Sequence, residues 1–282
     1  MGGFLGFGNH AKPGKGIKKE KTKKKRFFEF FDLLSRKITK LVKLNMLFIL
    51  YCAPIIIGLI LVYTNMSNSN NPLSEWLIYL PFLFIGPPLA ALFKITKYYV
   101  EEKPVFLLSD FFDAFKENFV QSLFAGMFFA ALIVACTEGI IFYIVRLSVS
   151  PLYWIPFILI ALLTIVTIFA GFYVFLIIIS VRLNMFAIIK NAFMFCFIGA
   201  KTNIITFFFV GVILVPSFLF VPFSLIFVAI ISLSLSAIII TFNSFQYIYE
   251  FLIKPYYVQN GLENPYEKEE IDEDSIFQDA TK

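Results

Sequence analysis

Glu138 is the one ionisable side chain set well inside a long apolar run, Leu123 to Val145, and its neighbours Ala135, Cys136, Gly139 and Ile140 offer no counter-charge. A charge at mid-membrane costs about 2.5–3.5 kcal/mol on insertion scales; a long apolar run offsets that, but the acid's presence asks for a reason. A proton- or cation-responsive site would be one. A neutral or snorkelling carboxyl bonded to a neighbouring helix is the other, and the plainer reading. Asn45, Asn243 and Gln246 are further polar groups at the ends of apolar runs. Asn243, Gln246 and Glu250 recur at helical steps, so their stripe either faces a water-filled vestibule or serves interhelical hydrogen bonds, which contribute about 0.6 kcal/mol each. We read it as structural. Pro54, Pro87 and Pro88 remove intrahelical hydrogen bonds, and Gly86 beside Pro87 permits close helix approach, so helices bent there can line a cavity.

Enzyme chemistry finds little footing. The sequence has no zinc-type His-Glu-x-x-His, no Gly-x-Ser-x-Gly elbow and no phosphate-cradling Gly-x-x-x-x-Gly-Lys-Ser/Thr. His10 is the only histidine, and Cys52, Cys136 and Cys196 have neither metal-site nor redox spacing. The expectation is a non-enzymatic protein without metal or cofactor.

The elements that must carry these residues are membrane spans. With 59% hydrophobic residues, 15% charged residues and 38 Phe, the chain lies outside the soluble range. Six apolar runs each reach the roughly 20 residues that cross a bilayer: Leu44 to Tyr63, Trp76 to Phe93, Leu123 to Val145, Tyr153 to Ser180, Ile204 to Pro222 and Ser224 to Ile248. The fold expected is an all-α, polytopic transmembrane bundle of about six helices with cytoplasmic amphipathic helices. Lys and Arg crowd the segment before Leu44, the connectors holding Lys94, Lys97, Lys103 and Lys116 and then Arg182, Lys190 and Lys201, and the tail; among the alternate loops only Arg146 is basic. Cytoplasmic segments keep such an excess, so both termini are expected in the cytoplasm.

Residues 1–25 read as a mobile basic arm, for which anionic lipid is the natural partner at about 1 kcal/mol per Lys or Arg. No aromatic-studded basic fold accompanies these lysines, so nucleic acid is not expected. Residues 26–43 place Phe27, Phe30, Phe31, Leu34, Ile38 and Leu41 at helical steps and predict an amphipathic interfacial helix leading into the bundle, residues 44–254. Ser109 or Asp110 caps a second amphipathic helix, with Phe112, Phe115 and Phe119 opposite Asp113, Lys116 and Glu117; Asp110, Asp113, Lys116 and Glu117 form a candidate partner surface. Asn191-Ala192-Phe193 echoes Asp113-Ala114-Phe115 and hints at two similar hairpins. Residues 255–282 read as an acidic, disordered tail.

Several stretches together resemble the YesL-like family of bacterial integral membrane proteins over roughly the first 130 residues. They are Met1-Gly2-Gly3-Phe4, Ala11-Lys12-Pro13-Gly14, Lys43-Leu44-Asn45 leading to Pro54 and Gly58, Gly86-Pro87-Pro88-Leu89-Ala90-Ala91-Leu92, and Ser109-Asp110-Phe111-Phe112-Asp113-Ala114-Phe115-Lys116-Glu117-Asn118-Phe119. The resemblance implies a multi-pass protein of the bacterial inner membrane with no established activity, encoded near sugar uptake transporters. It leads to the expectation of an accessory or regulatory partner of a transport system, with carbohydrate as the cargo the resemblance implies. The alternatives are a transporter that itself conducts a small solute through a cavity by the first two runs, and a purely structural protein.

Overall fold

The computed structural model of the chain describes residues 26–66, 77, 79–219, 224–264 and 266. All regular elements among them are helical. The chain divides into two compact units, Met1–Arg36 and Lys37–Lys282. In the first, Phe27 meets Phe28 edge-on with ring centroids 5.8 Å apart, and Arg36 donates through Nε to the Asp32 carbonyl at 3.2 Å. The expected helix of residues 26–43 is helical, but it does not end where the apolar run begins. α1 continues unbroken over Arg26–Met66, with Pro54 inside it.

The second apolar run departs most from expectation. Instead of one straight crossing it gives a 3-10 turn, Leu80–Phe84, and a 15-residue helix α2, Gly86–Val100. Pro87 and Pro88 fill the first turn of α2, where a missing N–H leaves no intrahelical bond unmade, and so they start the helix rather than kink it. Fifteen residues rise about 22 Å, short of the roughly 30 Å of hydrocarbon. Among the described residues, five helical stretches are long and apolar enough to span: Arg26–Thr64, Phe119–Arg146, Pro151–Ile178, Ala200–Ser217 and Leu225–Gln259. α2 is instead the buried centre, packed against α3 (Leu107–Glu117), α4 (Phe119–Arg146), α5 (Trp154–Ile178) and α9 (Leu233–Ile248). Eleven of its fifteen residues are buried, Lys97 among them.

Twice a short helix bends through a single residue into a longer one. α3 turns through Asn118 into α4, and α6 (Met185–Ile198) turns through Gly199 into α7 (Ala200–Leu219). The echoed alanines, Ala114 and Ala192, are both buried. The face that α3 buries is Phe111 and Ala114, with Phe111 and Phe115 against Tyr51 at 4.8 and 5.3 Å; Phe112 is turned outward, under Lys116. The expected Phe face was thus one residue out of phase, because Phe111 and Phe112 are adjacent and a pattern alone does not choose between them.

The last stretch is one helical run made of α8 (Ser224–Phe227), a π segment Val228–Ser232, α9, a second π segment Tyr249–Ile253 and α10 (Lys254–Gln259). The acidic tail is therefore not wholly structureless. It begins as α10, and Asn264 donates to the Tyr249 hydroxyl at 2.9 Å while the Tyr266 ring lies tilted against that of Tyr249, centroids 5.4 Å apart. The basic arm and residues 267–282 lie outside the described residues. Large apolar side chains such as Ile144, Val145, Leu159, Leu162, Phe208 and Val212 remain exposed on the spanning helices, as a lipid-facing surface requires.

Candidate functional site

Glu138 has a partner that the sequence did not disclose. Its Oε1 accepts a hydrogen bond from the Tyr79 hydroxyl at 2.5 Å, joining α4 to the segment before the 3-10 turn. Glu138 is half-buried. The plainer reading, an acid bonded to a neighbouring helix, fits this geometry. Glu138→Gln is expected to leave thermal stability within about 1 kcal/mol, because the amide oxygen still accepts from Tyr79. Fluorescence-detected size-exclusion with a heating step would check this, and a collapsed monodisperse peak would contradict it.

Beside this pair lies an apolar slot of about 400 Å³. α4 walls it from Gly126 to Thr137 at three- and four-residue steps, α5 contributes Thr167, Ile168, Gly171 and Phe175, and Tyr79, Phe82, Ile85 and Leu89 close the third side. Small residues make the space. A Cβ built on Gly171 would meet only the Phe129 ring, at 4.0 Å.

Asn45 is buried completely and spends its whole hydrogen-bonding capacity on the first π segment and the start of α9. Its Nδ2 donates to the Val228 and Ala229 carbonyls at 2.8 and 2.7 Å, and its Oδ1 accepts from the Leu233 and Ser234 N–H groups at 3.1 and 2.9 Å. A π segment displaces backbone groups from the α-helical ladder, and in an apolar setting those groups need a partner. Ser234 Oγ adds a bond to the Leu41 carbonyl at 2.9 Å. Asn243 likewise serves packing, donating to Thr206 Oγ1 on α7 at 3.0 Å. Gln246 is half-buried and Glu250 exposed. The second π segment begins at Tyr249, so the stripe through Asn243, Gln246 and Glu250 is broken before its third member. Glu138, Asn45 and Asn243 bond in three different places and make no common site.

Sequence reasoning also missed two buried networks. Tyr173 donates to Asn203 Oδ1 at 2.7 Å, and Asn203 donates to the Cys196 carbonyl at 3.1 Å; a side chain on Gly199 would overlap the Tyr173 hydroxyl. Lys97, only 5% exposed, donates to Ser180 Oγ at 3.0 Å and lies 4.6 Å above the Phe245 ring. Burial, partly offset by Glu101 at 3.7 Å, holds its pKa down to about 8. Its appearance in a basic connector made it look like one more topological charge.

One comparison with known proteins gives a match. Residues 41–139 match the family described as "Protein of unknown function, DUF624". The matched stretch runs from within α1 to within α4 and covers less than half of the chain. It holds Asn45, Tyr79, Gly86, Gly126 and Glu138, but not the π segment that Asn45 binds. No curated protein and no solved structure matches the chain.

The candidate partner surface is placed as follows. Asp110 is half-buried and reaches back to accept from the Phe106 N–H at 2.8 Å, so it fixes the start of α3 rather than facing a partner. Asp113, Lys116 and Glu117 are exposed. Asp113 accepts from Ser109 Oγ at 3.4 Å, Lys116 lies 4.0 Å over the Phe112 ring, and Glu117 borders a polar cavity of about 550 Å³ that Lys94, Gln121 and Arg182 also line.

Proposed function

We propose that the protein is a non-enzymatic protein of the bacterial inner membrane, an accessory or regulatory partner of a transport system for carbohydrate uptake. The observation that carries this reading is α3. This short helix leaves Phe106, Leu108 and Phe112 exposed next to the charges of Asp113, Lys116 and Glu117. Exposed aromatics set among charges suit the core and rim of a protein interface. The Lys and Arg excess on the same connector supports a cytoplasmic position, where the soluble parts of a transporter would reach it. The resemblance to the YesL-like family supplies the transport system, and the match to a family of unknown function is compatible with it. The apolar walls of the slot argue against conduction of a polar solute there.

The test is gentle purification of the protein with its native partners, followed by charge reversal. Asp113→Lys with Glu117→Lys is expected to reduce the amount of co-purified transporter about tenfold while insertion stays normal. A doubly reversed protein that retains every co-purifying component would leave α3 as a membrane anchor.

A further inference from the structure

We propose that the slot between α4, α5 and the Tyr79–Leu89 segment binds the alkyl chain of an uncharged, single-chain membrane amphiphile, with its oxygen-bearing head at Thr167 and the Tyr79–Glu138 pair. This goes beyond the docking reading and does not depend on it.

Thr167 provides the first ground. Thr137, Thr164, Thr206 and Thr241 each donate to the carbonyl four residues earlier in their helix, the usual way a buried hydroxyl is satisfied in a membrane helix. Thr167 does not. It is 1% exposed, lines the slot, and its Oγ1 has no hydrogen-bond partner. A buried hydroxyl is rarely left unpaired, so an acceptor oxygen is wanted there.

The second ground is that the slot has a polar end and an apolar end. A Cβ on Gly139 would touch Ile160 at 3.0 Å, so these two residues face each other on antiparallel α4 and α5. Counting seven residues from that pair along each helix places Thr167 level with Leu132, between Thr137 and the deeper Phe129. Thr137 and Tyr79 thus lie toward Glu138 and Thr167 about midway along the slot, while Leu89, Phe129 and Phe175 wall the other end. Along α4 the lined stretch from Gly126 to Thr137 spans about 16 Å. Its volume falls in the range of ligand sites, about 300–1,000 Å³. Water is a poor occupant, since it needs two to four polar partners and the slot offers one unpaired hydroxyl. An anionic head finds no cation among the lining residues and meets the Glu138 carboxyl; Arg146, the base nearest along α4, is engaged with the Phe142 carbonyl at 2.9 Å.

The test uses the full chain in nanodiscs and a monoacylglycerol carrying a photoactivatable diazirine in its alkyl chain, with cross-links mapped by peptide mass spectrometry. Saturable labelling is expected within residues 126–137 and 168–175, competed by unlabelled monoacylglycerol. Gly171→Leu fills the open wall and should reduce that labelling about tenfold or more, and Thr167→Val should raise the half-saturating concentration about three- to tenfold. Should Gly171→Leu fail to give a monodisperse protein, Thr167→Val alone decides. Labelling that does not saturate, that spreads equally over the outer residues Ile141, Ile144 and Val145, or that ignores the variants would overturn the proposal. So would equal labelling by phosphatidylglycerol with the same diazirine chain, which would mark an ordinary lipid contact.

Discussion

Asn45→Ala is expected to lower the melting temperature of the purified protein by on the order of 10 °C, the largest drop from any single change in a polar side chain. The replacement removes four hydrogen bonds at once and strands two carbonyls and two N–H groups of the last helical run in an apolar setting. Interhelical bonds in membrane bundles average about 0.6 kcal/mol, so additivity alone gives roughly 2.4 kcal/mol. Leaving buried backbone groups unpaired adds to that, and about 3–4 kcal/mol in total corresponds to the stated shift. Asn45→Asp separates the two halves of the clamp. It keeps the acceptor for Leu233 and Ser234 but sets a second oxygen against the Val228 and Ala229 carbonyls, so it should be at least as damaging as alanine. Thermal size-exclusion on both variants measures this, and a melting curve unchanged in Asn45→Ala would show that the π segment satisfies itself.

A second large effect is expected at the crossing of α2 and α4. A Cβ on Gly86 would overlap the Ser122 carbonyl, and one on Gly126 would lie 2.7 Å from Gly86 Cα and 2.8 Å from its nitrogen. The obstacles are backbone atoms, which cannot swing aside as a long side chain can. The small residues Ser122 and Gly126, four apart on α4, bring two main chains into direct contact, and dispersion along that contact helps hold the bundle together where no hydrophobic drive exists between helices. Gly86→Ala and Gly126→Val should each cost about 3 kcal/mol or more, seen as loss of folded protein after extraction. Gly211→Ala is the control. Nothing lies within 4 Å of its added methyl, so yield should hold or rise slightly, helped by the better helix propensity of alanine. Equal yields from all three would mean that α2 is free to retreat from α4.

Composition and run length were enough to read an all-α membrane bundle, and Gly86-Pro87-Pro88 correctly marked a special place. What those three residues do there was misread, because the same prolines kink a helix in its middle and start it at its first turn, and only the break at Ile85 distinguishes the two. Partners were not legible at all. Tyr79 and Glu138 lie 59 residues apart, and neither residue's neighbours point to the other. The first π segment left no pattern either, since an inserted residue merely shifts the phase of a run whose polar residues there are only small serines. Lys97 was hidden for a related reason: a count of basic residues treats a caged lysine and a solvated one alike.

The clamp at Asn45 also bears on how the protein is made. Its hydrogen-bond partners lie 183 to 189 residues further along the chain. At ribosomal rates of about 5–20 residues per second, the Asn45 amide waits on the order of 10 to 40 s before those backbone groups exist. Meanwhile the α2–α4 crossing and the α4–α5 hairpin, closed by much shorter spans of chain, are free to assemble. The Asn45 turn of α1, although made early, is fastened only when the last helical run arrives.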